Sequence, residues 1–214
     1  METGFLGVPD MDGLIFIGLA LTSFCAAFIT AVTGSAGGLL LLGILALVFP
    51  PSVLIPLHTV VMLGDNVSRV AILRRHVLKA ALLPFFIGAA LGAIAGGQIF
   101  VTLPTATLQF ILGVFIIVFT WMPKIASTGS LRGRFGLIGF TATFVGIFVS
   151  AVGALVGPFV AAACTDRREV MGTFSAVMGL VHLCKMVAFG LLGVTLAPYL
   201  PLMVAMVATA ALFA

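Results

Sequence analysis

The chain of 214 residues is 62% hydrophobic and only 7% charged, whereas soluble domains carry roughly a quarter charged residues. This composition excludes an ordinary soluble enzyme and predicts an all-α protein that crosses a lipid bilayer several times. The formal charge of +4 would suggest nucleic acid for a soluble protein. Here the basic residues lie between apolar runs, where the positive-inside rule accounts for them, so we expect no nucleic-acid partner.

Apolar runs of about twenty residues predict spanning helices. In chain order these runs are Leu14–Val32, Val53–Leu73, Ala80–Phe100, Thr107–Met122, Phe135–Val152, Val170–Leu192 and Pro198–Phe213. Two shorter apolar pieces, Leu39–Phe49 and Phe159–Cys164, each follow a glycine cluster. We predict that these two pieces are half-helices or shortened crossings.

Charges in the connections orient the predicted helices. The basic connections contain Arg74, Arg75, His76 and Lys79, then Lys124, Arg132 and Arg134, then Arg167 and Arg168. The N-terminal tail carries Glu2, Asp10 and Asp12, which argues against a signal peptide, and the connections Val101–Ala106 and Gly193–Ala197 carry no charge. If the short pieces count as crossings, all basic connections fall in the cytoplasm and the N-terminus in the periplasm.

Two stretches of the chain resemble one another. The first runs from Ala31 to Gly38 and continues over Val53–Ile72, and the second runs from Ser150 to Gly157 and continues over Val170–Phe189. Aligned pairs are Gly34 with Gly153, Gly38 with Gly157, His58 with Ser175, Asp65 with His182 and Ser68 with Lys185.

Because the first copy begins in the periplasm and the second in the cytoplasm, the predicted fold contains two inverted-topology helical repeats with Gly-broken helices. Together they form one transmembrane transporter domain over 1–214, with repeat one at about 14–122 and repeat two at about 135–214. The second copy has one apolar piece fewer than the first. Either its last helix is missing or the second half is shorter.

The helix predicted over Val53–Leu73 carries polar residues that are costly in a bilayer and therefore indicate function. His58, Asp65 and Arg69 share one face of this helix, and Asn66 lies beside them. We assign these four residues to coupling or gating. Asp65 and Arg69 could instead form a structural ion pair, Arg69 could extend to the interface, and His58 could serve packing.

The helix predicted over Val170–Leu192 carries the matching polar face, formed by Ser175, His182 and Lys185. The helical rise places His182, like Asp65 in the first copy, near the bilayer midplane. Lys185 is difficult to explain structurally because its apolar run contains no acidic residue. Thr173 and Ser175 could add hydroxyl groups to a site there.

The glycine clusters could interrupt helices inside the membrane and expose backbone N–H groups, which favour anions at a helix start. Glycine also permits close helix packing, which is the alternative. The predicted substrate-binding residues are Gly34, Ser35, Gly37, Gly38, Gly153, Gly157, Thr173, Ser175, His182 and Lys185. The three cysteines show no metal-ligand spacing, so we expect no metal site.

Several segments resemble the TauE/SafE sulfite exporter family. They are Gly34-Ser-Ala-Gly-Gly-Leu-Leu-Leu-Leu42, Pro50-Pro51 and Arg74-Arg75-His76-Val77 in the first copy, and Gly153-Ala-Leu-Val-Gly-Pro158, Met171-Gly-Thr-Phe-Ser-Ala176 and Lys185 in the second. The resemblance covers nearly the whole chain. Ala154 and Val156 depart from it, because the family usually has more glycine there.

The resemblance implies a secondary carrier of the bacterial inner membrane without a cofactor, in which two inverted halves move a small sulfur anion such as sulfite or an organosulfonate. Expected partners are the lipid bilayer, the anion and a coupling ion such as a proton, with Asp65 or His182 as coupling groups. An anion channel is harder to exclude than a membrane-embedded enzyme, which usually has clustered acids or histidine-rich metal sites.

Overall fold

The computed structural model describes residues 4–9, 11–33, 36–100, 102–121 and 131–213, and in these ranges it contains nine α-helices and no strand. The helices are α1 (Gly13–Thr33), α2 (Ala36–Val48), α3 (Pro51–Leu73), α4 (Lys79–Phe100), α5 (Thr105–Trp121), α6 (Leu131–Val149), α7 (Gly153–Ala161), α8 (Arg167–Leu191) and α9 (Leu200–Ala211). Several residues named above lie outside the described ranges: Glu2, Asp10, Gly34, Ser35, Val101, Met122 and Lys124. The predicted all-α class is confirmed.

Helix lengths separate full crossings from partial ones. The helices α1, α4 and α8 are long and apolar enough to cross a membrane, which confirms a multi-pass membrane protein. The 23 residues of α3 are also long enough, at 1.5 Å per residue, for a hydrocarbon layer of about 30 Å. By contrast, α2 has 13 residues and α7 has 9, so neither helix can cross this layer unaided.

The two short helices begin earlier than predicted. The prediction placed the first piece at Leu39–Phe49 and the second at Phe159–Cys164, whereas α2 begins at Ala36 and α7 at Gly153. Glycines were treated as helix breakers in that prediction. In an apolar environment, however, backbone groups must be hydrogen-bonded within the segment, so the glycines extend the helices instead.

The start of α8 is fixed by side chains that the apolar pattern does not reveal. The Asp166 carboxylate accepts a hydrogen bond from the backbone N–H of Glu169 at 2.8 Å, and the Glu169 carboxylate accepts one from the N–H of Thr165 at 2.8 Å. This is a reciprocal N-terminal cap. It starts α8 at Arg167, and Arg167 Nη2 donates to the Val32 carbonyl at 3.2 Å, where α1 ends.

The helices α4 and α6 run parallel with their backbones in contact. A Cβ atom added to Gly88 would lie 1.9 Å from the Gly136 carbonyl oxygen, and one added to Gly92 would lie 2.4 Å from the Phe140 carbonyl oxygen. Contacts therefore advance by four residues along both helices in the same direction. Small residues at this spacing allow close helix packing in membranes.

The two most polar helices, α3 and α8, pack antiparallel at the centre of the bundle. Gly179 of α8 faces the Asn66 side chain, and Gly172 faces Leu73 at the end of α3. The helices α2, α4, α6, α7 and α9 pack against this pair. We call the side of the bundle where α3 ends and α8 begins the basic end, because it carries Arg74, Arg75, His76, Arg167 and Arg168.

Candidate functional site

Ser150 connects a buried histidine and a buried lysine. Lys185 Nζ donates a hydrogen bond to Ser150 Oγ at 3.0 Å, and His58 Nδ1 lies 2.8 Å from the same oxygen. On its other side, His58 Nε2 lies 2.9 Å from the Gly38 carbonyl oxygen. Lys185 and Ser150 have no exposed surface, and His58 is 1% exposed. Helices α2, α3, α8 and the α6–α7 connection thus meet at one polar cluster.

The Gly38 carbonyl determines which group donates in each hydrogen bond of this cluster. The Gly38 carbonyl can only accept, so His58 Nε2 carries a proton and donates it. In the neutral imidazole, Nδ1 is then an acceptor, and the Ser150 hydroxyl donates a hydrogen bond to it. Lys185 Nζ donates a hydrogen bond to a lone pair of Ser150 Oγ. Lys185 therefore donates to Ser150, Ser150 donates to His58, and His58 donates to Gly38.

Ser150 reaches this position because the backbone breaks between α6 and α7. Its φ angle is +64°, a left-handed conformation that costs a residue with a Cβ atom roughly 1–2 kcal/mol. The chain then reverses and α7 begins at Gly153 without a side-chain cap. The uncapped N–H groups at this start add positive partial charge beside the cluster.

His182 lies next to the cluster with both ring nitrogens unsatisfied. Its side chain is fully buried, neither nitrogen has a hydrogen-bond partner among the described residues, and its ring centroid lies 6.2 Å from that of His58. Buried polar groups normally have partners. His182, His58 and Ser150 line a cavity of about 20 Å³ together with Gly153 and Asn66, which is room for about one water molecule.

Asp65 lies in a different cavity from His182. Asp65 Oδ1 accepts from Arg69 Nη2 at 2.9 Å, and both side chains are 3% exposed. The carboxyl group lines a separate space of about 10 Å³ with Ser23 and Thr30. The two cavities share Thr30 and Met62. His58 is the histidine that faces His182, and Asp65 lines a space that adjoins their cavity.

The structure separates the two predicted hydroxyl groups of α8. Thr173 Oγ1 accepts from the Leu78 N–H at 2.9 Å, so this oxygen holds the α3–α4 connection. Thr173 lies twelve residues from Lys185, or about 18 Å along the helix, too far to join its site. Ser175 is fully buried, and its hydroxyl has no partner among the described residues.

The predicted glycines have different surroundings. A Cβ atom on Gly37 would lie 1.8 Å from the Ala26 carbonyl oxygen, so Gly37 allows α1 and α2 to approach closely. Gly38 contributes its carbonyl oxygen to His58 rather than an N–H group to an anion. Gly153 begins α7, whereas Gly157 lies inside α7, where its N–H group belongs to the helix.

Sequence reasoning missed Ser150 as a site residue. Its counterpart in the repeat alignment is Ala31, and it lies on neither helical polar face, so the periodicity gave no signal. A serine directly before the second glycine cluster was the available signal. Thr59, whose Oγ1 lies 3.5 Å from Ser150 Oγ, was missed because its side chain is not ionisable.

The family model described as Sulfite exporter TauE/SafE matches residues 19–214. The chain belongs to the TauE/SafE family. The match includes the nine helices of the described ranges except for the first six residues of α1, and thus every residue of the cluster. No curated protein and no solved structure matches the chain. TauE/SafE is a family of membrane exporters, and among the described residues no group of three metal-ligating side chains occurs.

Proposed function

We propose that this TauE/SafE protein is a secondary carrier that moves a small sulfur oxyanion, such as sulfite or an organosulfonate, across the bacterial inner membrane. The observation that carries the proposal is Lys185. Its ammonium group is fully buried, and no carboxylate of the described residues lies within ion-pair distance of it. A buried charge without a counter-ion is costly. An anionic substrate supplies the missing charge.

The groups around Lys185 suit an oxyanion. Lys185 Nζ and the Ser150 hydroxyl provide donors, and His182 offers two ring nitrogens without partners. The start of α7 adds uncapped N–H groups nearby. An anion with three oxygen atoms can accept from several of these donors at once. The substrate site is therefore proposed at Lys185, His182, Ser150 and His58.

The size of the cavity argues against a continuously open anion pore at this position. The space beside His182 holds about 20 Å³, which fits a single water molecule and is too small for a sulfur oxyanion. The helices must therefore move before the anion enters. Such a step gives saturable transport, and counter-exchange of labelled substrate would distinguish a carrier from a pore.

Helix packing supports the inverted repeat. The helix α4 packs against α6 and α8, and α9 packs against α1 and α3. If α1, α3 and α4 are paired with α6, α8 and α9, the contacts of α4 with α6 and α8 correspond to those of α9 with α1 and α3. We propose that these groups are the two halves, with the basic end in the cytoplasm. We further propose that Asp65 or His182 carries a proton inward and that this movement is coupled to outward movement of the anion.

The test measures sulfite flux into proteoliposomes for the wild type and Lys185→Met. A hydrogen bond to a charged group contributes about 1.5–3 kcal/mol, so we expect flux to fall by about ten- to a hundredfold. The matched control is Lys79→Gln at the exposed start of α4, which should retain wild-type flux. Undiminished flux in Lys185→Met would contradict the assigned site.

A further inference from the structure

A wide groove lies at the basic end of the bundle, apart from the cluster around Ser150. Its volume is about 400 Å³, and its lining includes Arg69, Arg167, Arg168, Leu73 and Met171. We call it the arginine groove. None of the residues proposed to bind the transported anion lines it. Arg69 lies eleven residues from His58, which corresponds to about 16 Å along α3.

Arg69 is the buried part of this groove and is incompletely paired. The side chain is 3% exposed, and its Nη2 atom donates to Asp65 at 2.9 Å. Its Nε and Nη1 atoms are buried and have no partner among the described residues. A guanidinium group has five N–H donors, so one carboxylate leaves most of them unsatisfied. Buried donors of this kind favour an additional acceptor.

The other charges around the groove leave it electropositive. Arg167 is held by the carbonyl groups of Ala31 and Val32 at the end of α1, and Arg168 is exposed. The nearest carboxylates of α8, Asp166 and Glu169, accept hydrogen bonds from the backbone at the start of the helix. The groove therefore combines three cations with acids that already have partners.

We propose that the arginine groove is a second oxyanion site, in which Arg69 and Arg168 hold the anionic group of a free ion or of a lipid head group. The bound oxygen atoms occupy donors of Arg69 that Asp65 leaves free. Arg168 contributes charge at the rim, and Met171 and Leu73 provide an apolar wall. Binding in this groove does not depend on the function proposed for the central cluster.

The first experiment measures binding of sulfite, sulfate and phosphate to the full chain in detergent by isothermal titration calorimetry. It uses Lys185→Met as the background, so that the central site does not contribute. We expect a binding event to remain and Arg168→Gln to weaken it by about two- to fivefold, as for an exposed ionic contact. The matched control, Arg75→Gln, changes an exposed arginine of the basic end that does not line the groove.

The second experiment separates the two sources of the anionic group. The unfolding temperature is measured in nanodiscs of phosphatidylglycerol and of phosphatidylcholine, for the wild type, Arg168→Gln and Arg69→Lys. A rise with phosphatidylglycerol that both variants reduce, without binding of free anions, identifies a lipid head group. Binding of free anions with no lipid effect identifies a small ion.

The proposal is overturned if Arg168→Gln leaves anion binding unchanged and neither Arg168→Gln nor Arg69→Lys changes the lipid effect. It is also overturned if Arg75→Gln has the same effect as Arg168→Gln, because the binding would then reflect only the overall charge of the basic end. Failure of the central site has a different signature. In that case Lys185→Met transports normally, whereas Arg168→Gln still weakens anion binding and Arg75→Gln does not.

Discussion

Removing the Ser150 hydroxyl should destabilise the protein, because this oxygen is the shared hydrogen-bond partner of Lys185 and His58. In Ser150→Ala, Lys185 Nζ and His58 Nδ1 lose a partner at 3.0 Å and 2.8 Å. A hydrogen bond to a charged group contributes about 1.5–3 kcal/mol, and one between neutral groups in a membrane about 0.6 kcal/mol. We therefore expect the free energy of unfolding to fall by about 2–4 kcal/mol.

The assay is unfolding in mixed micelles with increasing sodium dodecyl sulfate, followed by far-ultraviolet circular dichroism. The matched control is Thr143→Val on α6, because this buried hydroxyl has no partner among the described residues; its loss removes an unsatisfied polar group and should not lower the free energy of unfolding. Ser150→Gly removes the same hydroxyl but relieves the φ angle of +64°, so it should be about 1 kcal/mol more stable than Ser150→Ala. Equal stabilities of Ser150→Ala and Thr143→Val would refute the reasoning.

Two further predictions concern packing and charge. Gly88→Leu should prevent α4 from packing on α6, because even a Cβ atom would lie 1.9 Å from a backbone oxygen; thermal unfolding should show loss of the folded protein, whereas Gly18→Ala, where no atom lies within 4 Å, should not reduce stability. Asp65→Ala should cost about 3–5 kcal/mol because it leaves Arg69 buried and unpaired. The double variant Asp65→Ala/Arg69→Met should recover much of this loss in the micelle assay, and no recovery would argue against a buried ion pair.

The sequence predicted the helices well because long apolar runs have no alternative structure in a bilayer. The ion pair of Asp65 and Arg69 was also foreseeable, since residues four apart face each other on a helix. Ser150 was not predictable in this way, because it lies in a break between helices, where the helical period carries no information. Nor could the sequence place His58 beside His182, because that contact depends on the register between α3 and α8.

The Ser150 hydroxyl also makes the cluster sensitive to a single proton. When His58 carries protons on both nitrogens, Nδ1 becomes a donor, and the oxygen of Ser150 must accept from both His58 and Lys185. Its own proton then has to turn elsewhere, and Thr59 Oγ1, at 3.5 Å, is the acceptor within reach. Protonation of His58 would thus turn one hydroxyl group from α3's histidine toward α3's threonine, while Lys185 keeps its partner.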